Sequence, residues 1–437
     1  MATTTAFRAS ILHCLADPGS ATDHNNSSAV EYIDDGLLIV ENGHVRETGA
    51  AEALLPGLSE DVEVVEHRDK LIIPGMIDCH VHFPQVDIIA SYGEQLLDWL
   101  NRYAYPAEQK FADAAHAAEV ADFFVDELLR NGTTTALVFA TVHPQSVDAI
   151  FDKALKQNMR LLAGKVLMDK NCPEELRDDA QSSYTDSLEL INKWHGKGRL
   201  SYAITPRFAV TSSESQLAEA GRLASEHPDV YVHTHLAENK DEVELIAKQF
   251  SWSRSYLDVY EHFGLVRERS VFAHCLHLDD QDHKSMADHG GAIAFCPSSN
   301  MFLGSGLFDL RSAQEKNIRV GLGTDVGGGT SLSMLRTVSE AYKVLHLQDQ
   351  ALPPFNALYL ATLGAARALY LDDKIGNFER GKEADFVVLD SQATSITSRR
   401  LSRSDDVAEK LFALIMLGDD RAVVATYLMG ELAHSVE

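Results

Sequence analysis

The chain has 437 residues, 45% of them hydrophobic and 24% charged, a balance that fits a soluble globular protein with a large core. Its formal net charge of −27 argues against nucleic-acid polymers and anionic membranes as partners, because both need basic patches. Five scattered cysteines (Cys14, Cys79, Cys172, Cys275, Cys296), with no Cys-x-x-Cys pair, argue against a disulfide framework and for a reducing, cytoplasmic compartment. Residues 1–16 lack the basic start and long apolar core of a secretory signal, and no apolar run reaches membrane-spanning length.

In chain order, residues 6–73 read as short strands with turns. Asn42-Gly43 between two apolar runs is a type I′ hairpin signal, and the polar, glycine-containing stretch 18–28 reads as a loop. From residue 71 the pattern changes. Eight apolar runs (72–80, 133–141, 161–168, 200–205, 230–235, 271–274, 292–296 and 320–324) alternate with amphipathic stretches of helical length, among them 113–130, 145–157, 182–194, 213–227 and 241–250. Continuous apolar strands separated by helices predict a parallel sheet covered on both faces. Eight such units predict a closed (β/α)8 barrel. A doubly wound open sheet is the alternative, but no Gly-x-Gly-x-x-Gly follows an early strand.

After the barrel, 353–371 reads as one helix, 376–390 returns to strand, and 391–406 reads as a polar surface loop. Residues 422–435 form a closing hairpin that turns at Gly430-Glu431. These strands are expected to join the N-terminal ones. The expected division is a small β domain from 1–72 and 376–437, discontinuous in sequence, around a barrel at 73–375.

Barrel enzymes carry their sites at the C-terminal ends of the strands. Run one ends in His80-Val-His82, two side chains that face the same way on a strand and can share one metal ion. Run four leads into Arg207-Phe208, run five into His233-Thr-His235-Leu-Ala-Glu238, run six into His274-Cys-Leu-His277, and run eight into Gly323-Thr-Asp325. Imidazole nitrogens with one carboxylate oxygen and room for a water are a usual catalytic zinc environment. Any one of these residues is more often structural, but their recurrence at one end of successive strands is not what core packing predicts.

The motifs Pro74-Gly-Met-Ile-Asp-Cys-His-Val-His82, His233-Thr-His-Leu-Ala-Glu238, the histidine of run six and Gly323-Thr-Asp325 resemble the metal-dependent amidohydrolase superfamily over nearly the whole chain. The resemblance implies a barrel with a β-sandwich appendage, metal ligands His80, His82, His235 and Asp325, and His274 beside the metal water. Within the superfamily, His82-Phe-Pro-Gln85, 93–100, Thr205-Pro-Arg-Phe208 and His235-Leu-Ala-Glu238 resemble the guanine deaminase family. That implies a substrate pocket of His82, Gln85, Arg207, Phe208, His235, Glu238 and Asp325, a single zinc ion (Fe2+ or Mn2+ being the other candidates), guanine and water as small-molecule partners, and a homodimer.

The chemistry is compatible. Guanine O6 and N7 accept hydrogen bonds from an arginine fork, and a glutamine amide offers a donor and an acceptor to a purine edge. The implied reaction is hydrolytic deamination to xanthine and ammonia. In it a metal lowers the pKa of water, Asp325 takes the water proton, Glu238 carries a proton to ring N3, and His274 bonds the attacking oxygen. His233 and His277 are candidates for supporting positions, and Asp78 and Trp99 for the border of the site. Lys165 lies in run three and no lysine ends run four, so a lysine-bridged pair of metals is not expected. The cytidine-deaminase pattern His-x-Glu with Pro-Cys-x-x-Cys is absent. Two alternatives stand beside this reading: a deaminase or hydrolase of another purine-, pterin- or triazine-like ring, and a non-enzymatic scaffold on a decayed barrel. The intact set His80, His82, His235, Asp325 and Glu238 speaks against the scaffold.

Overall fold

The computed structural model describes residues 4–92 and 95–436; Gly93 and Glu94 of the motif at 93–100 lie outside the described residues. The N-terminal segment gives β1 (Thr4–Cys14), β2 (Val30–Glu41), β3 (His44–Ala50) and β4 (Glu63–Pro74). Asn42 and Gly43 join β2 to β3 at φ of 52° and 81°, as a type I′ turn requires.

Nine strands follow in the central region: β5 (Met76–His82), β6 (Thr133–Phe139), β7 (Arg160–Gly164), β8 (Val166–Leu167), β9 (Leu200–Pro206), β10 (Tyr231–Leu236), β11 (Ser270–His274), β12 (Ala292–Phe295) and β13 (Arg319–Leu322). Eight of them run parallel in the order β5-β6-β7-β9-β10-β11-β12-β13, and β8 pairs separately with β9. The third apolar run is thus interrupted at Lys165, between β7 and β8. The barrel is drawn together between its first and last strands by backbone bonds just beyond β13. Asp325 N–H donates to the His80 carbonyl at 2.8 Å, and His82 N–H donates to the Val326 carbonyl at 2.8 Å. Those two bonds also fix the relative heights of His80, His82 and Asp325.

The strands are close-packed where glycine permits. A Cβ on Gly164 would stand 1.6 Å from the Ala203 carbonyl oxygen on β9. Gly164→Ala is therefore expected to cost about 2 kcal/mol or more, read as a lower Tm by calorimetry. An unchanged Tm would show that β7 shifts freely against β9.

The covering helices form where the amphipathic spacing places them: Ala114–Arg130, Pro144–Lys156, Ala180–Trp194, Glu214–Glu226 and Lys240–Gln249. Their starts carry side-chain caps at Asp113, Asp179, Ser213 and Asn239, except for Pro144–Lys156, which begins on proline. Between β5 and the helix Ala114–Arg130 the chain makes short helical turns over Phe83–Ile88 and over 96–112 instead of entering a covering helix directly.

The chain ends with β14 (Phe386–Leu389), β15 (Val423–Leu428) and β16 (Glu431–Ser435). They complete a seven-stranded mixed sheet in the order β16-β15-β14-β4-β1-β2-β3. On β4, Val65 pairs with Phe7 and Pro74 pairs with Phe386, yet the Phe7 and Phe386 rings meet at 4.8 Å. A straight strand would hold those positions far apart. β4 bends through Asp69, at φ 63°, and brings the two halves of the sheet face to face, which is the expected sandwich.

Three local expectations change. The segment 391–406 is not all loop: it holds the helix Ser395–Leu401, started by a capping box on Thr394. The helix expected over 353–371 is two, Pro354–Ala361 and Leu363–Ala368, parted where Thr362 leaves helical geometry at φ −130° and ψ −99°. The closing hairpin turns at Met429-Gly430, both at positive φ, one residue before the expected place. All five cysteines are free thiols. Among the described residues no helix is long and apolar enough to cross a membrane.

Candidate active site

The strand ends of the barrel bring four donors together. Ligand atoms of His80, His82, His235 and Asp325 all lie within 4.8 Å of one another, and all four residues are buried. His82 Nε2 is 3.2 Å from both His80 Nε2 and His235 Nε2. Asp325 Oδ1 is 3.1 Å from His80 Nε2 and 3.3 Å from His82 Nε2. Burial pushes the imidazoles down, His82 to about 3 and His80 and His235 below the ordinary value, so they are neutral and present lone pairs.

Outer contacts aim those lone pairs inward. His235 Nδ1 donates to the Arg207 carbonyl at 2.6 Å, which leaves Nε2 as the free nitrogen facing the group. His80 Nδ1 shares a 2.8 Å hydrogen bond with His233 Nε2, so His233 takes the supporting position expected of it. The Phe139 ring, at the end of β6, packs against the rings of His80, His82, His233 and His235 at 4.4–5.2 Å. Convergent neutral nitrogens with one carboxylate oxygen, at spacings where lone pairs would otherwise repel, suit a divalent cation. The residues present therefore fit a metal ion.

The backbone around this group is held in unusual conformations. Ala237, His274, Cys275 and Asp325 all have φ between 49° and 72°, the left-handed region that non-glycine residues seldom enter. Such positions persist only where surrounding contacts over-determine them, and they cluster at functional sites.

Two carboxylates beside the group are driven apart. For Asp325, burial works to raise the carboxyl, but the His80 and His82 imidazoles outweigh it and hold it well below the usual range. For Glu238, burial, reinforced by the Asp325 charge, pushes the carboxyl up to about 8. The two shifts run in opposite directions, the pattern that separates a base from an acid. Glu238 Oε1 accepts from the Ser305 hydroxyl at 3.1 Å, and Oε2 lies 3.4 Å from His274 Nε2. His274 Nδ1 lies 2.8 Å from Asn300 Oδ1, to which it donates, while its buried Nε2 has no hydrogen-bond partner among the described residues and is 3.7 Å from Asp325 Oδ2.

The pocket beside the donors is lined by Gln85, Leu96, Trp99 and Leu100 from the segment after β5, and by Arg207, Phe208, Leu303 and Gly328. Every residue expected to hold a substrate reaches this one space: His82, Gln85, Arg207, Phe208, His235, Glu238 and Asp325. Trp99 borders it too. Asp78 does not line the pocket; its Oδ1 accepts from the backbone N–H groups of His80 and Thr324 and ties β5 to the turn that carries Asp325. His277 stands behind Ser305, bonded to that residue's carbonyl at 3.2 Å. Lys165 points elsewhere, into a salt bridge with Asp178.

Four contributors have no counterpart in the sequence reading: Glu108, Phe139, Asn300 and Ser305. For Asn300 and Ser305 a signal was present. They follow run seven directly, at the one strand end among runs four to eight to which no candidate was assigned. Glu108 lies in a short helix, Tyr105–Gln109, far from any strand end, and no spacing rule points to it.

The amidohydrolase family model matches residues 71–433. The guanine deaminase of Escherichia coli (strain K12) is 51% identical over 408 residues, covering 93% of this chain and 93% of that protein. The solved structure of E. coli guanine deaminase superposes with a TM-score of 0.95 at 48% identity, covering 99% of this chain and 100% of that one. A crystal structure of guanine deaminase from C. acetobutylicum with guanine bound in its active site superposes with a TM-score of 0.88 at 27% identity, covering 98% of this chain and 100% of that one. With four convergent metal donors at the strand ends and these likenesses along nearly its full length, the chain belongs to the amidohydrolase family and, within it, to the guanine deaminases.

Proposed function

We propose that the chain hydrolyses guanine to xanthine and ammonia with one zinc ion per subunit, as a cytoplasmic homodimer in purine breakdown. The observation that carries the reading is the meeting, in one pocket, of a four-donor metal group with Gln85, Arg207, Phe208 and the buried carboxyl of Glu238. On the same reading the barrel at 73–375 holds the chemistry, and 1–72 with 376–437 form the appended β domain.

Zinc suits three imidazoles and a carboxylate, as Fe2+ or Mn2+ would, and when bound it lowers the pKa of a water at the site. The chain's own residues do the rest. Arg207 donates to O6 and N7 of the base, Gln85 reads a second polar edge, and Phe208 closes the pocket over the ring. Asp325 accepts the proton of the water that attacks C2. Glu238 delivers its proton to ring N3 as that bond forms; then, ionised, it takes the hydroxyl proton from the tetrahedral carbon and passes it to the departing amine, and the proton held by Asp325 restores Glu238. His274, pinned by Asn300, hydrogen-bonds the attacking oxygen through Nε2. One water is consumed, and its oxygen becomes the 2-oxo group of xanthine.

A substrate panel tests the reading. Ammonia release from guanine is expected to exceed that from adenine, adenosine, pterin and chlorotriazine compounds by at least about a hundredfold in kcat/KM, since a site built to bond particular polar groups rejects rings that lack them. Preference for any other member would overturn the substrate while keeping the hydrolytic chemistry.

A further inference from the structure

Glu108 is 0% exposed and touches both residues that would hold the purine. Its Oε1 accepts from Gln85 Nε2 at 2.9 Å and from Arg207 Nη1 at 2.9 Å, and its Oε2 accepts from the same Arg207 nitrogen at 2.7 Å. The other end of the Gln85 amide is also taken, because Oε1 accepts from Gly327 N–H at 3.1 Å. The amide therefore has one allowed orientation, its donor end toward Glu108 and its acceptor end toward the backbone. Its second N–H and second lone pair remain for a ligand, in fixed order. Arg207 rests over the Tyr105 ring at 5.3 Å and spends only Nη1 on the carboxylate. Among the described residues Nε and Nη2 meet no protein acceptor and are free to meet a base.

Charge matters as much as orientation. A buried guanidinium without a counter-charge would attract any anion through strong, charge-assisted hydrogen bonds. With Glu108 in contact, the pair is neutral. Guanine is a neutral base, whereas xanthine carries a more acidic ring N–H and is partly anionic near neutral pH. We propose that Glu108 is a positioning and specificity residue: it locks the Gln85 amide and cancels the Arg207 charge, so that the pocket takes a neutral 6-oxopurine and does not retain its anionic product. The proposal rests on guanine as the substrate.

The test uses the metal-replete full-length chain and two inhibitors, xanthine and hypoxanthine, at a mildly alkaline pH where xanthine is largely anionic and hypoxanthine neutral. Glu108→Gln keeps the size and an acceptor but removes the charge. It is expected to improve xanthine inhibition relative to hypoxanthine by about tenfold or more, the effect of one charge-assisted bond. A residue that merely supported the fold would weaken both inhibitors together, and an unchanged ratio overturns the proposal. Arg207→Met leaves the opposite charge and supplies a check that does not depend on the folding of the first variant. It is expected to shift the ratio against xanthine by about tenfold, and equal losses for both inhibitors would likewise overturn the proposal. Guanine turnover by the wild type in the same assay separates the two levels. Turnover with unmoved ratios removes this inference alone, whereas no turnover removes the substrate reading and this inference with it.

Discussion

Glu238→Gln is expected to lower kcat on guanine by at least about a hundredfold, the lower bound for loss of a positioned general acid. Glutamine matches glutamate in volume, and its carbonyl can still accept the Ser305 hydroxyl that bonds Oε1 at 3.1 Å. What it lacks is a transferable proton, which burial favours on the wild-type carboxyl by pushing it up to about 8. Glu238 is not among the four convergent donors, so bound metal should stay stoichiometric and Tm close to wild type. KM should change little, because the loss falls on the transition state and not on binding. Steady-state kinetics with metal analysis on the same sample decide the matter. A loss under about tenfold would assign the proton transfer to another group, such as His274, whose Nε2 lies 3.4 Å from Glu238 Oε2.

Asp325→Ala should have the larger effect, since it removes both a ligand oxygen and the base that accepts the water proton. Turnover is expected to fall by at least about a thousandfold, because the residual site can neither hold the ion firmly nor help ionise water near neutral pH. The fold should survive: the bond that joins this position to β5 runs from the Asp325 backbone N–H to the His80 carbonyl and is independent of the side chain. Substoichiometric metal after dialysis, with far-ultraviolet circular dichroism unchanged, is the expected signature. Full metal content with activity within about tenfold of wild type would show that Asp325 is neither ligand nor base.

The parts of this site that could be read from the sequence are those whose chemistry is distinctive and whose position is tied to a strand end. His80 and His82 follow an apolar run with period-two spacing, and His235, His274 and Asp325 each close another run, so alternation along the chain translates directly into a shared direction in the barrel. The covering helices were legible for a similar reason, since amphipathic spacing and capping residues are local. Contacts assembled from distant segments were not. Glu108 meets Arg207 from ninety-nine positions away, and its own neighbours, Tyr105-Pro-Ala-Glu-Gln109, look like any short helix. Asn300 and Ser305 act by restraining other side chains, a role that polar residues after a strand share with ordinary turn residues. The helix Ser395–Leu401 was hidden by its polar composition, because one turn or two with a Thr394 cap carries little apolar periodicity. Within β4, Asp69 takes a left-handed conformation that its neighbours do not announce.

The most direct test follows three quantities at once: guanine lost, xanthine formed and ammonia released by the metal-replete chain, before and after removal of metal by a chelator. The account predicts equal molar changes in all three, no turnover after chelation, and recovery on adding zinc. Folded, metal-replete protein that leaves guanine untouched, or turnover that persists undiminished in metal-free protein, would contradict it.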